Sequence, residues 1–232
     1  MIRKTIRATV LGVGLILAAA LGGAGILLLS TPSVDTLARS DPQTTAVLTR
    51  ALTAGHRVTW IPVPYEAIST DLKLAVVVAE DFRFFAHNGF DHYEIKAAMR
   101  EAVTGKRLRG ASTITQQVAR NLWLSSDRTL TRKLKEAVLT WKLEHRLSKR
   151  RILELYLNTA PFGPDTIGIE GAAQQYFGIP ASEITRVQAA HLAAGLPAPS
   201  LWHPGTKSPR AERHFQRILA KMDQAARLRR LL

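Results

Sequence analysis

Ile68-Ser69-Thr70-Asp71-Leu72-Lys73-Leu74-Ala75-Val76-Val77-Val78-Ala79-Glu80-Asp81-Phe82-Arg83-Phe84-Phe85-Ala86-His87-Asn88-Gly89-Phe90-Asp91 is the stretch whose reading decides the fold. Its first half places Ile68, Leu72, Ala75, Val76 and Ala79 on one face of a helix that ends near Glu80. Its second half gathers charge, aromatic rings and glycine at the point where that helix stops. A core needs none of these together. Glu80 sits beside Phe82, Phe84 and Phe85, and partial burial there would raise its pKa and make it a proton acceptor near neutral pH. The plainer reading is a helix-end carboxylate paired with Arg83, and the residues alone leave both open. Gly89 permits a tight turn. His87 and His92 show no metal-ligand spacing, so a structural hydrogen-bonding role is expected for them.

Working outward, Asp91 and Glu94 make a capping pair for a helix whose expected buried face is Ile95, Ala98, Met99 and Ala102. A basic, glycine-bounded loop runs from Gly105 to Gly110. Gly110-Ala111-Ser112-Thr113-Ile114-Thr115-Gln116-Gln117 follows, with Thr113 and Gln116 spaced as a capping box. Helix N-termini offer free N–H groups and a positive dipole end, which suit phosphate. Capping accounts for Thr113 and Gln116 but not for Ser112, Thr115 and Gln117 as well. A long helix is expected through Leu130, Leu134, Ala137, Val138 and Trp141, with Arg132, Lys133 and Glu136 on a different face. Taken alone, that charged trio reads as a solvated ion pair of little weight. Ser148 caps the next helix, which carries Ile152, Leu155 and Tyr156. Two more helices are expected, from about Ser182 to Ala194 and from Pro209 to the C-terminus, the latter with Ala211, Phe215, Ile218 and Met222 inward. Val58-Thr59-Trp60-Ile61 is a candidate short strand stopped by Pro62 and Pro64. The fold class expected is mainly α.

The chain has 232 residues, and 32 Lys and Arg stand against 18 Asp and Glu, for a net charge of +14. Such an excess favours an anionic partner: nucleic acid, an acidic membrane surface or a phosphorylated substrate. With no Cys, disulfides and Cys-ligated zinc are excluded. Arg3, Lys4 and Arg7 precede a nearly charge-free run from Ala8 to Leu29, roughly 22 residues, long enough to cross a bilayer. The basic flank is expected to stay cytoplasmic, which sends the body outward. Ala18-Ala19-Ala20 faintly resembles a cleavage site, but apolar sequence continues past it, so a retained anchor is the expectation. The organisation read from the sequence is 1–29 basic flank and transmembrane anchor, 30–57 juxtamembrane connection with one short helix, and 58–232 the functional domain.

Taken together, these segments resemble the peptidoglycan glycosyltransferase family (glycosyltransferase family 51). Five blocks appear in order: Glu80-Asp81-x-x-Phe84-x-x-His87-x-Gly89-x-Asp91; Gly110-Ala111-Ser112-Thr113-Ile114-Thr115-Gln116-Gln117-x-x-Arg120-Asn121; Arg132-Lys133-x-x-Glu136; Lys149-x-x-Ile152-Leu153-Glu154-x-Tyr156-Leu157-Asn158; and His191-Leu192-Ala193-Ala194-Gly195-Leu196-Pro197-x-Pro199. Ala111 stands where a second glycine is commoner and Arg120 where lysine is usual. No Ser-x-x-Lys segment follows Met222, which is similar to the single-activity, membrane-anchored form.

The resemblance implies a lysozyme-like helical lobe with a small membrane-associated jaw, for which Ile95 to Arg109 is the candidate. There Met99, Val103 and Leu108 would face lipid and Lys106, Arg107 and Arg109 headgroups. It implies polymerisation of lipid II, with a lipid-linked glycan as donor, β-1,4 bonds formed at the GlcNAc 4-hydroxyl of the acceptor, and undecaprenyl diphosphate released. By the same likeness Glu80 is the general base and Glu136 acts at the diphosphate. Arg120, Arg132 and Lys133 would neutralise the leaving group, Ser112, Thr115, Gln116 and Gln117 would shape the donor pocket, and Glu154 and Asn158 would hold the fold around the cleft. A divalent cation, Mg or Mn, is a candidate cofactor with Glu136 as its candidate ligand. Expected partners are lipid II, lipid-linked glycan, the membrane and cell-wall synthesis proteins, with no nucleic acid. The expected place is the bacterial inner membrane, single-pass, with the domain on the outer side. The rival readings are a glycan-cleaving enzyme on the same type of lobe and a non-enzymatic, membrane-tethered scaffold for anionic polymers.

Overall fold

The computed structural model describes residues 22–23, 25–104 and 112–232. Most of the apolar run Ala8–Leu29 and the basic loop carrying Lys106, Arg107, Leu108, Arg109, Gly110 and Ala111 lie outside the described residues. Among the described residues no helix is long and apolar enough to cross a membrane. Helical backbone over residues 25–30 leads into an irregular segment and then α1 (Ala46–Thr53). The order continues α2 (Thr70–Glu80), α3 (His92–Val103), α4 (Ile114–Trp123), α5 (Leu130–Arg146), α6 (Lys149–Thr159), α7 (Ile169–Phe177), α8 (Arg186–Gly195), α9 (Pro199–Trp202), α10 (Pro209–Gln224) and α11 (Ala226–Arg229). The fold is mainly α, as the sequence patterning predicts.

α2 is the central helix. Ser69 opens it by accepting the Leu72 N–H at 3.1 Å. Every side chain from Leu72 to Val78 is buried, so the helix is enclosed on all sides rather than on the single face read from its period. Helices α8 and α10 pack against it. Each fully buried Leu or Val contributes about 2 kcal/mol of apolar transfer, which leaves little freedom for the position of its last residue, Glu80. The one cation in that run, Lys73, lies 3.8 Å over the Tyr65 ring, and burial lowers its pKa.

A second layer is α4 against α5 and α6, with α1 on its outer side. The Thr113–Gln116 capping box forms as read. Asp91 caps α3 through the N–H groups of Tyr93 and Glu94, and Ser148 caps α6.

Four sequence expectations are corrected. First, α5 turns Glu136, Leu139, Thr140 and Leu143 inward, while Leu130, Leu134 and Trp141 are exposed. The charged trio is therefore not wholly on a solvated face: Glu136 belongs to the inward stripe, which mixes two leucines with two polar residues. Second, α3 has no buried residue among those whose side chains are described, and Ile95 and Met99 of the expected buried face point to solvent. Third, residues 58–61 form no strand. The side-chain amide of Asn158 instead pairs with this segment, accepting from Val63 N–H at 3.0 Å and donating to Val63 C=O at 2.8 Å, while Trp60 Nε1 donates to Asn158 C=O. One asparagine satisfies the backbone that a neighbouring strand would have paired. Fourth, the helix placed from Ser182 begins at Arg186, behind a Thr185–Gln188 capping box, and the C-terminal helix breaks at Ala225 before α11. Helix α7 carried no sequence signal in the reading above.

Candidate active site

Glu80 ends α2 half-buried. Its Oε2 accepts a 2.7 Å hydrogen bond from Nε2 of Gln117, which lies in the first turn of α4. The carbonyl end of that amide accepts from the Tyr156 hydroxyl of α6 at 3.3 Å, which fixes which end of Gln117 faces the carboxylate. Burial raises the pKa of Glu80, and Asp81 adds to the rise. The Gln117 hydrogen bond and the Arg120 charge act in the other direction. Burial also pushes the Tyr156 hydroxyl well above its ordinary value, with Glu80 reinforcing it, so Tyr156 stays a neutral donor. The carboxylate is thus desolvated, aimed by a neutral amide, and more basic than a surface glutamate.

The loop after Glu80 is tied to the start of α4. Asp81 Oδ2 accepts the Ile114 N–H at 3.0 Å. His87 Nε2 lies 2.9 Å from Asp81 Oδ1, and Gly89 N–H donates to His87 Nδ1 at 3.1 Å, so the ring is the neutral tautomer protonated at Nε2. Thr113 Oγ1 donates to Gly89 C=O at 2.7 Å. Gly89 has φ +88°, and a Cβ there would stand 2.7 Å from Thr140 Cγ2 of α5, so both backbone and space require glycine. The Asp81, His87 and Asp91 ligand atoms lie within 4.8 Å of one another, but they are engaged by His87, Ile114, Gly89, the α3 cap and the Arg83 ion pair. His87 has the hydrogen-bonding place expected of it, and His92 is exposed at the start of α3.

Glu136 is 1% exposed, which is exceptional for a carboxylate. Arg132 Nη1 donates to its Oε2 at 2.6 Å and the Lys133 ammonium binds its Oε1. The carboxylate is buried, held between a half-buried arginine and a lysine whose side chain reaches solvent, and this is not the solvated pair its spacing allows. With Arg132 on one oxygen and Lys133 on the other, both Glu136 oxygens already carry a cation. A divalent ion there would have to displace one of them or share its oxygen against charge repulsion, so the donor set as it stands is a poor fit to the metal-ligand expectation. About two turns further along α5, Glu144 accepts from Thr115 Oγ1 at 2.5 Å and from Lys149 Nζ at 2.8 Å.

A cavity of about 400 Å³ opens beside this group. Its walls carry Arg50 of α1, Gln117 and Arg120 of α4, Arg128 of the α4–α5 connection, Arg132 of α5 and Tyr156 of α6. Among the described residues, four arginines and no carboxylate line it. Of the residues expected from sequence to bind substrate, Gln117, Arg120 and Arg132 meet here. Lys133 binds Glu136 and does not line the cavity. Thr115 is wholly buried on Glu144, and Gln116 is occupied in the capping box. Ser112 is half-buried next to the cap and makes no cavity contact. The sequence reading missed Arg50 and Arg128, since an arginine in a weakly patterned segment carries no signal of its own. A second cavity, about 470 Å³, lies by His191, Trp202, His203 and Lys207 and contains none of the expected site residues. His191 stacks on Phe215 there, with ring centroids 3.8 Å apart, and burial lowers its pKa.

A family profile described as "Transglycosylase" matches residues 46–223, which contain the whole cavity lining. The chain belongs to the transglycosylase family. Curated relatives in this family include the biosynthetic peptidoglycan transglycosylase of Nitrosospira multiformis, 45% identical over 174 residues that cover 75% of each chain. That of Alcanivorax borkumensis is 48% identical over 168 residues, covering 72% of this chain and 68% of the relative. That of Pseudomonas putida strain W619 is 51% identical over 139 residues, covering 60% and 59%. The transglycosylase match takes in α1 through most of α10, and so both glutamates and all four cavity arginines.

Proposed function

We propose that this transglycosylase polymerises peptidoglycan glycan chains, transferring a lipid-linked glycan onto the GlcNAc 4-hydroxyl of lipid II. The observation that carries the reading is that one residue, Gln117, both holds the Glu80 carboxylate and lines the arginine cavity. A base and an anion site therefore share a wall. In the reaction, the acceptor O4 gives its proton to Glu80 as it bonds to the donor anomeric carbon. The bond from that carbon to the diphosphate oxygen breaks, and its electron pair leaves with the undecaprenyl diphosphate. Arg120 and Arg132 neutralise the departing charge, each such contact contributing about 3 kcal/mol in a water-poor site. Glu136 holds Arg132 and Lys133 in place, and no step is routed through a metal ion.

The membrane setting is part of the same proposal. The basic flank and apolar run at the N-terminus support a single-pass anchor with the domain on the outer face of the inner membrane. α3 supports a lipid-facing jaw on a lysozyme-like lobe, since Tyr93, Ile95 and Met99 are exposed on it.

The deciding experiment incubates the purified protein with lipid II and, separately, with preformed glycan. Growth of glycan chains is the expected outcome. Fragmentation of preformed glycan without growth would replace polymerase with a glycan-cleaving enzyme.

A further inference from the structure

We infer that Arg50, from a helix outside all five sequence blocks, is a substrate-binding residue that supplies a further cation to the leaving diphosphate. The inference rests on reading the arginine cavity as the diphosphate site. α1 packs on the outer side of α4 and delivers Val47 and Arg50 into the cavity wall. Arg50 is partly buried, and one guanidinium nitrogen donates to the Leu124 carbonyl at the end of α4 at 2.5 Å. That bond uses one corner of a five-donor fork, and among the described residues no carboxylate pairs with the rest. Burial lowers its pKa, and the charge of another cation, Arg120, adds to the fall. Two guanidinium groups held near each other on a carboxylate-free wall are an unfavourable arrangement in the free protein. A ligand with at least two negative charges reverses the sign of that interaction. A diphosphate has the charge and the span to meet Arg50, Arg120 and Arg132 together, with fork geometry suited to phosphate oxygens. A purely structural Arg50 would need only a neutral donor to cap Leu124.

Inorganic pyrophosphate serves as the probe, tested against the full chain in detergent micelles. Its dissociation constant is measured by calorimetry for the wild type, Arg50→Gln, Arg50→Lys and Arg120→Gln, alongside thermal melting. Gln keeps a donor for the Leu124 carbonyl and removes the charge. Lys keeps the charge and loses the fork. The expected result is about a tenfold or larger weakening in Arg50→Gln and a smaller weakening in Arg50→Lys, with melting close to wild type and KM for lipid II moving with the pyrophosphate constant. Wild-type pyrophosphate affinity in Arg50→Gln, with weakened affinity in Arg120→Gln, overturns the role given to Arg50 and leaves the cavity reading standing. Wild-type affinity in both variants overturns the cavity reading itself. Should Arg50→Gln melt early, its pyrophosphate affinity is measured well below its melting temperature: wild-type affinity there overturns the proposal.

Discussion

α2 and α5 hold Glu80 and Glu136, and they do so in opposite ways. α2 is an apolar helix enclosed from Leu72 to Val78, with Asp71 in its first turn paired to Arg229 and Glu80 at its last residue meeting a neutral amide. α5 leaves Leu130, Leu134 and Trp141 outside and buries two carboxylates beside Leu139 and Leu143, Glu136 on two cations and Glu144 on a hydroxyl and a lysine. The first environment penalises negative charge and so favours taking up a proton. The second compensates negative charge and so fixes the positions of the cations around it. Two identical side chains become a base and an electrostatic brace through their surroundings alone.

The contrast breaks most visibly at Glu80. Glu80→Gln should cut lipid II polymerisation by about 10³-fold or more while leaving melting within a few degrees, because the amide fills the same space without a desolvated charge. A normal polymerisation rate in that variant would remove the base from the scheme. Glu136→Gln should reduce turnover by about 10²-fold and also cost about 3 kcal/mol of stability, since Arg132 and Lys133 lose the charge that holds them. If denaturant unfolding shows no loss, the triad is not the brace described. Gly89→Ala should destabilise by about 2 kcal/mol, through a positive φ and a Cβ driven against Thr140. The same unfolding measurement checks it.

A pH series sharpens the comparison. The folded pKa of Glu80 lies above its ordinary 4.5. Its contribution to stability is therefore fully present below that value and is lost as pH rises through the folded pKa. Activity runs the other way, with kcat/KM falling as pH drops through the same folded value. Glu80→Gln should flatten the first trend, and pH-dependent melting of the two proteins side by side reads it. The smallest effect is expected at Leu134→Ala, within about 0.5 kcal/mol, against about 3 kcal/mol for Leu139→Ala five residues along the same helix. Equal losses at the two sites would mean that the apolar side of α5 is covered after all.

How much of this could be read from the residues follows the same division. The helix ending at Glu80, the caps at Asp91, Thr113 and Ser148, and the meeting of Gln117, Arg120 and Arg132 follow from local rules or from the family blocks. The inward face of α5 was not legible, because Glu136 and Thr140 break the apolar period exactly where burial occurs, while Leu134 and Trp141 imitate it on the outside. Thr115 gave the right residue type for a substrate contact, yet its hydroxyl is taken by Glu144, a partner 29 positions away that no spacing rule joins to it. Arg50 is silent for a like reason: its place in the cavity depends on how α1 lies against α4, which is a tertiary fact. Residues 58–61 have the composition of a strand, but Trp60 and, just beyond, Val63 meet Asn158, a partner more than ninety positions away that no local pattern reveals.

The segment that joins the N-terminal helical turn to the body is held at several points. Lys142 Nζ donates to the carbonyls of Leu28, Thr31 and Pro32 at 2.9, 3.0 and 3.3 Å. Arg151 binds those of Leu37 and Ser40, and Arg146 reaches Asp35. Through these contacts a tilt or sideways pull at residues 25–30 would act on α5 at Lys142, six residues beyond Glu136, so the N-terminal turn and the helix carrying that glutamate are mechanically joined.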